Sequence, residues 1–501
     1  MMLAFIFYIK NMKNKTFPYF IHSILFISIC LIIFYPISIY QLSPISQHQW
    51  RQIDSLSFFY TYFAFNLDFF DTQILNILQC EGRQVSDFPL NYYMASKINQ
   101  LLGIPYNENI LRGLISVYFY IGSLFLFKIG KLYFHSVWSA LLFSLIIFTF
   151  PNLVYYGFTF IPEIPAFGLT IAAIYFILKY HKEKKYRDAI LSCIIFTYAG
   201  FYRPSVYIPL TVVYIMIFLE IKDQKEKMKG LTLFSIPYVF GLLWILYSRS
   251  VNGCHFFGCF LNKPLPIWLT DEIPIYEVLL RIQNEWAATF QYHIFYVFIL
   301  IGCVYLLIQR NHKSDKKIIL LSFLGYLSFF ILMFFMYYHH DYGFIPYLLF
   351  FILILFLLLL KIKSNKIIGI LGLLYISLGV MNSRNFIQNN RYHTSFVWDD
   401  FYDDYMGLDL YLDALKIDRK AMIISLNDKS TQNSLYFAKR RGYNMFSHPE
   451  GESLNAIQFF KEQGAKYLIC KTEFTKNYSY INPDFCTKIG QYKGIAIYSI
   501  R

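Results

Sequence analysis

Carboxylates and arginines that could carry out a transfer reaction follow apolar segments at several places in this chain. Arg51 and Asp54 stand three positions apart, so a helix would place them on one face. A carboxylate in such a position can take a proton from an attacking hydroxyl group, and an arginine can bind a phosphate through two hydrogen bonds. The pair therefore suits attack by a hydroxyl group on a carbon atom that carries a phosphate leaving group.

Three further groups of charged residues lie at the ends of apolar segments. Glu163 stands between two prolines in PNLVYYGFTFIPEIPAF, Arg203 lies in FYRPSVY, and His340 and Asp341 lie in YYHHDYGFIP. Each has an ordinary explanation: a helix cap for the glutamate, contact with lipid headgroups for the arginine and a turn for the histidine–aspartate pair. An interfacial ion pair would be the ordinary explanation for the first pair.

The composition is that of a membrane protein. The 501 residues are 56% hydrophobic and only 15% charged, whereas about 25% charge is usual in soluble domains. The run 343–360 has no charged residue over a length that can cross a bilayer. Hydropathy predicts eleven spans, at 17–39, 111–130, 134–150, 163–180, 188–201, 204–220, 231–249, 293–309, 318–337, 343–360 and 367–383.

Positive charge is distributed unevenly between alternate connecting segments. The N-terminal segment and five alternate loops hold 21 lysines and arginines, whereas the short loops on the other side hold only Arg203. By the positive-inside rule the N-terminus is cytoplasmic and the C-terminus lies outside. Most of the net charge of +14 thus lies in the predicted cytoplasmic loops, where it sets the orientation of the protein in the membrane. A nucleic-acid-binding surface is therefore disfavoured. This topology places all the candidate residues at the outer face.

The hydropathy profile divides the chain into two regions. Residues 1–384 are predicted to form a membrane domain with a large first outer segment at 40–110, and the tail, 385–501, a small outer α/β domain. The tail has no phosphate-binding motif, so a packing or acceptor-docking role is expected. Its strands are predicted at 421–426, 443–446, 466–471 and 494–500, and its helices at 431–442 and 453–465.

Metal ligands are sparse in the outer segments. Cys254, His255 and Cys259 lack an evident fourth ligand, which disfavours zinc. The carboxylates at 399–404 come as two adjacent pairs, which is typical of a solvated helix start rather than of a ligand loop. We predict no protein-bound metal and no certain cofactor, with a divalent metal as the alternative. Two cysteine pairs could form disulfides in an oxidising outer compartment, Cys254–Cys259 and Cys470–Cys486.

The outer-face residues belong to an ordered set of motifs. These are W-R-Q-x-D at 50–54, D-F-P-L-x-x-Y at 87–93, P-N-x-x-x-Y-G-x-T-F-x-P-E at 151–163, R-P at 203–204 and H-H-D-Y at 339–342. The set resembles the bacterial membrane glycosyltransferases of the GT-C fold, most closely the family 39 type. That type is related to protein O-mannosyltransferases and to the aminoarabinose transferase of lipid A. The resemblance covers residues 15–383. The tail resembles the family only in being a small outer α/β domain.

The resemblance implies a polytopic α-helical membrane protein with the GT-C fold. It also implies an inverting transfer of a sugar from a polyprenyl-phosphate donor to a glycolipid, polysaccharide or protein of the cell envelope. The reaction would take place at the outer face of a bacterial inner membrane.

The resemblance also assigns residues. Asp54 matches the position of the catalytic base, and Glu163 matches a second acidic position that is more often Asp. Phe88-Pro89-Leu90 stands where the aminoarabinose enzymes have Lys-Pro-Pro, so a lysine contact to phosphate is missing there. The substrate-binding candidates are Trp50, Arg51, Arg203, His340, Asp341 and Tyr342.

Two other classes of membrane protein fit part of this pattern. An O-antigen polymerase or ligase has related chemistry and large outer loops. A transporter of lipid-linked sugars would bury its charges near the bilayer midplane on broken helices, often in repeated halves. Here the charges collect at one face and the sequence shows no repeat, so a glycosyltransferase is favoured.

The charge distribution makes a prediction about topology. A reporter that is active only outside the cytoplasm should be active when fused after Arg501, because eleven spans starting from a cytoplasmic N-terminus end outside. The same reporter fused within the basic loop 221–229 should be silent. Activity of the loop fusion, or silence of the C-terminal one, would mean that a span has been miscounted.

Overall fold

The computed structural model is predominantly helical. It describes residues 16–44, 48–78, 80–253, 266–269, 273–286, 293–308, 313–362, 365–392, 399–445 and 453–501. The Cys254–Cys259 pair and His255 lie outside the described residues.

Each of the eleven predicted spans coincides with a helix of the described structure. These helices are α1 (Phe17–Phe34), α4 (Asn109–Tyr133), α5 (Val137–Ile147), α7 (Glu163–Glu183), α8 (Tyr186–Tyr202), α9 (Tyr207–Glu220), α10 (Gln224–Asn252), α12 (His293–Ile308), α13 (Lys313–Leu332), α15 (Leu348–Lys361) and α16 (Asn365–Phe386). Within the described residues, six helical segments are long and apolar enough to cross a bilayer. The protein is therefore a multi-pass membrane protein, and the count of eleven spans stays a prediction.

Shorter helices connect these spans at the level of the candidate residues. The first outer segment contains α2 (Gln49–Phe65) and α3 (Leu90–Leu101), and α6 (Pro151–Tyr156) precedes α7. Further along the chain are α11 (Ile275–Arg281) and α14 (Phe334–His339). The short 3₁₀ and π segments are Ile39–Gln41, Cys80–Gly82, Pro204–Val206, Ile267–Leu269, Ile282–Trp286, Asp341–Tyr347, Ile387–Arg391 and Thr472–Asn477.

A close contact between two glycines sets the packing of α7 on α4. A Cβ on Gly168 would lie 2.3 Å from the carbonyl oxygen of Tyr118, and one on Gly122 would lie 3.1 Å from the Cα of Gly168. Small residues at this crossing let the two helix backbones approach each other. The contact lies about one turn from the N-terminus of α7, so it also fixes the position of Glu163.

The helix α2 is buried along its length. Residues 50–70 alternate polar residues with Phe, Tyr and Leu, which predicts an amphipathic helix lying in the membrane interface. In the structure, however, Ile53, Leu56, Phe58 and Phe59 are all at most 1% exposed. The interfacial interpretation was wrong, because the other face of α2 is covered by the tail rather than by solvent. The two regions share one hydrophobic cluster, in which α2 side chains pack with those around Tyr405 of the tail.

The tail forms a small α/β domain around a five-stranded sheet in the order β2-β1-β3-β5-β4. The first three strands in that order are parallel, and β5 runs antiparallel to both of its neighbours. The strands are β1 (Met422–Ser425), β2 (Gly442–Asn444), β3 (Ala465–Lys471), β4 (Cys486–Tyr492) and β5 (Ile495–Ile500). The helices are α17 (Asp399–Asp403), α18 (Leu408–Ala414), α19 (Asn433–Ala438) and α20 (Leu454–Glu462).

Most predicted elements of the tail are present, with two corrections. The helix predicted to end at Gly442 ends at Ala438, and Gly442 begins β2, where a Cβ would lie 1.8 Å from the Ile423 carbonyl oxygen. The strand β4 was missed because its side chains are mostly polar and exposed. Ser453 caps α20, its hydroxyl oxygen accepting from the Ala456 N–H.

The Cys470–Cys486 disulfide, one of the two pairings that the sequence left open, is absent, since both cysteines are free and buried. They lie on β3 and β4, which β5 separates. Along β5 Cys470 pairs with Ala496 and Cys486 with Ile500. The two Cα atoms are therefore offset along the strands as well as two strand spacings apart, so they lie more than about 9 Å from each other, which is beyond disulfide reach. Cys80, which the sequence analysis did not consider, is disulfide-bonded.

The first outer segment pairs with the edge of the tail sheet. The Ile77 N–H donates to the Gly442 carbonyl oxygen at 2.9 Å, and the Gly442 N–H donates to the Leu75 carbonyl oxygen at 3.1 Å. The Asn76 side chain donates to the backbone oxygens of Thr431 and Asn444. This pairing covers an otherwise open sheet edge. It also holds the tail in a fixed register against the membrane domain.

Candidate active site

Asp54 is buried between the membrane domain and the tail. Its side chain is on α2, only 4% of the residue is exposed, and both of its hydrogen-bond donors come from the tail. Gln432 Nε2 donates to Asp54 Oδ1 at 2.8 Å, and the Thr431 hydroxyl donates to the same oxygen at 3.3 Å. Trp50 Nε1 donates to Thr431 Oγ1 at 2.9 Å. Two residues far along the chain thus complete the surroundings of Asp54.

The environment of Asp54 changes its proton affinity. Burial raises the pKa of Asp54 to about 7, while Arg51 and the hydrogen bonds from Gln432 and Thr431 act in the opposite direction. A carboxyl group with this pKa exchanges a proton near neutral pH. That is the range in which a general base is most effective.

Arg51 forms its ion pair with Asp87 rather than with Asp54. Its Nη2 lies 2.6 Å from Asp87 Oδ2, and no ion pair joins Arg51 to Asp54 in the described structure. The ordinary explanation of this pair, an interfacial ion pair between Arg51 and Asp54, is therefore wrong. The arginine influences Asp54 only through its charge at longer range.

Asp87 holds two arginines from different elements. Oδ2 faces Arg51 and also accepts from the Tyr92 hydroxyl at 2.9 Å, while Oδ1 lies 3.5 Å from Arg203 Nη1. Burial alone would raise the pKa of Asp87, but Arg51 and Arg203 outweigh it and hold the pKa below its ordinary value. Asp87 was noted in the sequence but given no role. Its importance follows from the arginines that converge on it.

Glu163 pairs with Arg203. The distance from Arg203 Nη2 to Glu163 Oε1 is 2.5 Å. Glu163 begins α7 and is 2% exposed, and the Arg203 side chain, which follows α8, is 20% exposed. Glu163 is therefore placed to hold Arg203.

The four residues Arg51, Asp87, Glu163 and Arg203 form what we call the outer charge cluster. Two positive and two negative side chains balance within it, so burial leaves no net charge. Arg51 Nη1 and Arg203 Nε are buried without a hydrogen-bond partner among the described residues. Both guanidinium groups thus keep N–H donors for a further acceptor.

Asp341 anchors a second buried network. Its Oδ1 accepts from the Tyr156 hydroxyl at 2.5 Å and lies 3.0 Å from His48 Nε2, while Oδ2 lies 2.5 Å from Arg391 Nη2. Arg391 also donates to Asn152 Oδ1 at 2.8 Å. Since both oxygens of Asp341 are occupied, its contacts favour a supporting role over direct substrate contact.

His340 and Tyr342 lie between the two networks. Their rings stack, with centroids 4.9 Å apart, and the ring of His48 packs edge-on against Tyr342 at 4.9 Å. His48 is the residue that precedes α2, so the Asp341 network is joined directly to the start of the helix that carries Asp54. The structure thus brings all the sequence candidates into one region at the ends of the helices.

Several site residues escaped sequence reasoning. Thr431 and Gln432 are neutral, and no charge or motif distinguishes them in the sequence. Arg391 falls beyond the last predicted span, in a stretch assigned to the tail. His48 stands just before the W-R-Q-x-D motif, and its proximity was the one available signal. Among the described residues, no group of three or more His, Cys, Asp or Glu side chains is placed to hold a metal ion.

Comparison with solved structures identifies the fold. The chain resembles ArnT from Cupriavidus metallidurans at 8% identity, covering 95% of this chain and 97% of that one, with TM-scores of 0.59 for the apo state and 0.62 for the state bound to undecaprenyl phosphate. It also resembles the archaeal oligosaccharyltransferase AglB from Archaeoglobus fulgidus, with a TM-score of 0.54, 10% identity and coverage of 92% and 70%. The chain has the GT-C fold.

A third structure has the same GT-C fold over part of its length. The mycobacterial arabinofuranosyltransferase AftD matches with a TM-score of 0.54 and 13% identity, over 96% of this chain and 41% of that one. No family model matches the sequence, and no curated protein does. The fold expected from the motifs is confirmed. At these identities the comparisons do not extend to residue roles.

The outer charge cluster makes a prediction about stability. Arg203→Ala should lower the free energy of unfolding by about 2 kcal/mol or more, because it leaves the buried Glu163 carboxylate without its partner. Adding Glu163→Gln to Arg203→Ala should recover most of this loss. The measurement is thermal unfolding in detergent, with Arg249→Ala as the arginine control outside the cluster. Equal stability of the single and double variants would contradict the pairing.

Proposed function

We propose that this protein is an inverting glycosyltransferase of the GT-C fold. It transfers a sugar from a polyprenyl-phosphate donor to a glycolipid, polysaccharide or protein acceptor of the cell envelope. The observation that carries the proposal is the buried Asp54 carboxyl, which accepts hydrogen bonds from Thr431 and Gln432; burial also raises its pKa to about 7. The outer charge cluster beside it supplies the second half of the chemistry.

In this proposal Asp54 is the general base. The acceptor hydroxyl oxygen attacks the anomeric carbon as its proton passes to the Asp54 carboxylate. The bond between the anomeric carbon and the phosphate oxygen breaks, and the lipid phosphate leaves with the bonding electrons. The leaving group needs no proton, since a phosphate departs as a stable anion. Attack and departure on opposite faces of the sugar invert the anomeric configuration.

Arg51 and Arg203 are proposed to bind the donor phosphate. Each has a buried N–H group without a hydrogen-bond partner among the described residues, and a planar guanidinium group suits an oxyanion. Positive charge held at this position stabilises the negative charge that develops on the leaving phosphate. Asp87 and Glu163 would keep both arginines in place. This assigns to Glu163 a positioning role in place of the catalytic one expected from the sequence.

The remaining candidates are assigned by their contacts. Trp50 is half-buried and donates to Thr431, which in turn contacts Asp54, and we assign it to the acceptor side of the site. The stacked rings of His340 and Tyr342 lie between the networks and offer an aromatic surface to a sugar. Asp341 supports this surface through His48 and Arg391.

The compared structures support the lipid donor. The ArnT structure was obtained with undecaprenyl phosphate, and the AglB structure with a dolichol-phosphate and an inhibitory peptide. We infer a donor of the same class here. With the N-terminus in the cytoplasm, as the charge distribution indicates, the site faces the outer side of a bacterial inner membrane. The polymerase, ligase and transporter hypotheses are disfavoured, because the outer charge cluster lies beside a potential base, Asp54, at one face of the protein.

Asp54→Asn is expected to reduce sugar transfer by roughly 10²–10⁴-fold, because the amide keeps the shape of the side chain but cannot accept the proton. The measurement is transfer of a radiolabelled sugar from polyprenyl-phosphate donors by purified protein. Asp71→Asn is the matched control, since Asp71 is also in the first outer segment and contacts Arg83 at the surface. Near-normal transfer by Asp54→Asn would remove the base assignment.

The pH dependence of stability gives an independent check on Asp54. Because folding raises its pKa from 3.8 to about 7, the unfolded state binds fewer protons than the folded state in this interval. The stabilisation is complete below about pH 4 and is lost as the pH rises through about 7. Asp54→Asn should therefore gain stability relative to the wild type over this range while losing activity. If the difference in stability between Asp54→Asn and the wild type stayed constant over this pH range, Asp54 would not titrate within it.

Arg203→Lys should support only weak transfer, because lysine keeps the charge but lacks the planar set of N–H donors of arginine. The double variant Arg203→Ala/Glu163→Gln should show almost no transfer. The loss should appear mainly as a higher KM for the lipid donor. The double variant keeps the charge balance of the site, so instability does not explain its defect. An unchanged donor KM in both proteins would exclude Arg203 from phosphate binding.

A further inference from the structure

We propose that residues 428–434 of the tail, here called the tail loop, belong to the active site and set the proton affinity of Asp54. The tail was expected only to pack or to dock acceptors. The inference rests on the proposed role of Asp54 as the base, and it assigns Gln432 and Thr431 as positioning residues. Neither residue needs to touch the substrate in order to affect the reaction.

The orientation of the Gln432 amide is fixed by its other contacts. Its Oε1 accepts from the Ser57 hydroxyl at 2.6 Å and from the Leu75 N–H at 3.2 Å. The oxygen is thereby committed to α2 and to the first outer segment. Only the NH₂ group is left to face Asp54, where it donates at 2.8 Å.

The direction of the Thr431 hydroxyl is fixed in the same way. Its Oγ1 accepts from the indole N–H of Trp50 at 2.9 Å, and an indole can only donate. The single hydroxyl hydrogen is therefore free to point to Asp54 Oδ1, 3.3 Å away. Two donors from the tail thus converge on one carboxylate oxygen.

Asp428 holds the tail loop in this shape. Its carboxylate accepts from the backbone N–H groups of Ser430 and Ser434 and from both of their hydroxyls. It also accepts from the Tyr402 hydroxyl at 2.6 Å and the Asn444 side chain at 2.9 Å. All of these groups are buried. The residues that present Thr431 and Gln432 are therefore rigidly supported from inside the tail.

The charges around Asp54 explain why the hydrogen bonds from Thr431 and Gln432 can change its proton affinity. The charged groups that act on Asp54 are Arg51 on its own helix and Asp87 from the neighbouring segment, while the two tail residues that contact it, Thr431 and Gln432, are neutral. Arg51 and Asp87 are paired and partly cancel. Hydrogen bonds to the charged form favour that form, so the tail loop offsets the cost of burying the carboxylate.

The experiment titrates Asp54 in the intact protein by infrared difference spectroscopy. The carboxyl band of Asp54 is isolated by subtracting the spectrum of the corresponding Asp54→Asn protein at each pH. The wild type should titrate near pH 7. Gln432→Met should move the midpoint up by about one pH unit, because one hydrogen bond to the charged form is lost.

Thr431→Val should move the midpoint in the same direction by less, because its bond is longer, and Thr431→Ser should leave it unchanged. Thr431→Val also keeps the Gln432 contacts to Ser57 and Leu75, so the test survives if Gln432→Met folds poorly. Gln463→Met is the matched control, since this exposed glutamine lies at the end of α20, away from the site. An unchanged midpoint in folded Gln432→Met and Thr431→Val proteins would overturn the inference.

Sugar transfer as a function of pH separates this inference from the proposed function. If both hold, the acid limb of the transfer rate moves with the infrared midpoint, whereas a purely structural defect would lower the rate equally at every pH. If the variants shift the midpoint but Asp54→Asn protein still transfers sugar, Asp54 is not the catalytic base. The tail loop would in that case still control the proton affinity of Asp54. Inactive Asp54→Asn protein with an unshifted midpoint would refute only the role of the tail loop.

Discussion

The cost of burying a carboxylate at the boundary of two regions is the constraint on which this structure depends. The Asp54 side chain is buried, and no arginine forms an ion pair with it in the described structure. An ionised carboxylate in such a place needs hydrogen bonds or a cation, or it stays protonated. The chain meets this requirement only partly, with two neutral donors from the tail. The partial compensation leaves the group able to exchange a proton near neutral pH.

The carboxylates of the outer charge cluster differ from Asp54, because they are paired with arginines. In the outer charge cluster each buried carboxylate has an arginine within ion-pair distance, and removal of either partner would strand a charge. Such pairing is not needed to stabilise the fold, because apolar residues of similar size would pack as well. It does keep two arginines charged and fixed in place with donors to spare. That arrangement suits a site that must receive an anion and release it again.

Much of the architecture could be predicted from the sequence, because hydropathy and strand patterns are local properties. The helices at the predicted spans and the core strands of the tail depend on runs of about 5 to 20 residues. The charged candidates were also identified, since charge is rare in this chain. Their partners could not be predicted: Arg51 finds Asp87 rather than Asp54, and Gln432 is neutral. Pairings between residues tens or hundreds of positions apart are decided by tertiary packing.

The tail and the base are coupled by geometry as well as by hydrogen bonds. Backbone pairing at Ile77 and Gly442 adds the first outer segment to the tail sheet, and the Gln432 amide bridges that same segment to Asp54. A displacement of the tail would break both sets of bonds at once. Each hydrogen bond to a charged group is worth about 1.5–3 kcal/mol, enough to change the ionised fraction of Asp54 severalfold near its midpoint. A docked tail is thus a condition for a competent base, and this explains why neutral side chains 377 and 378 positions away belong to the site.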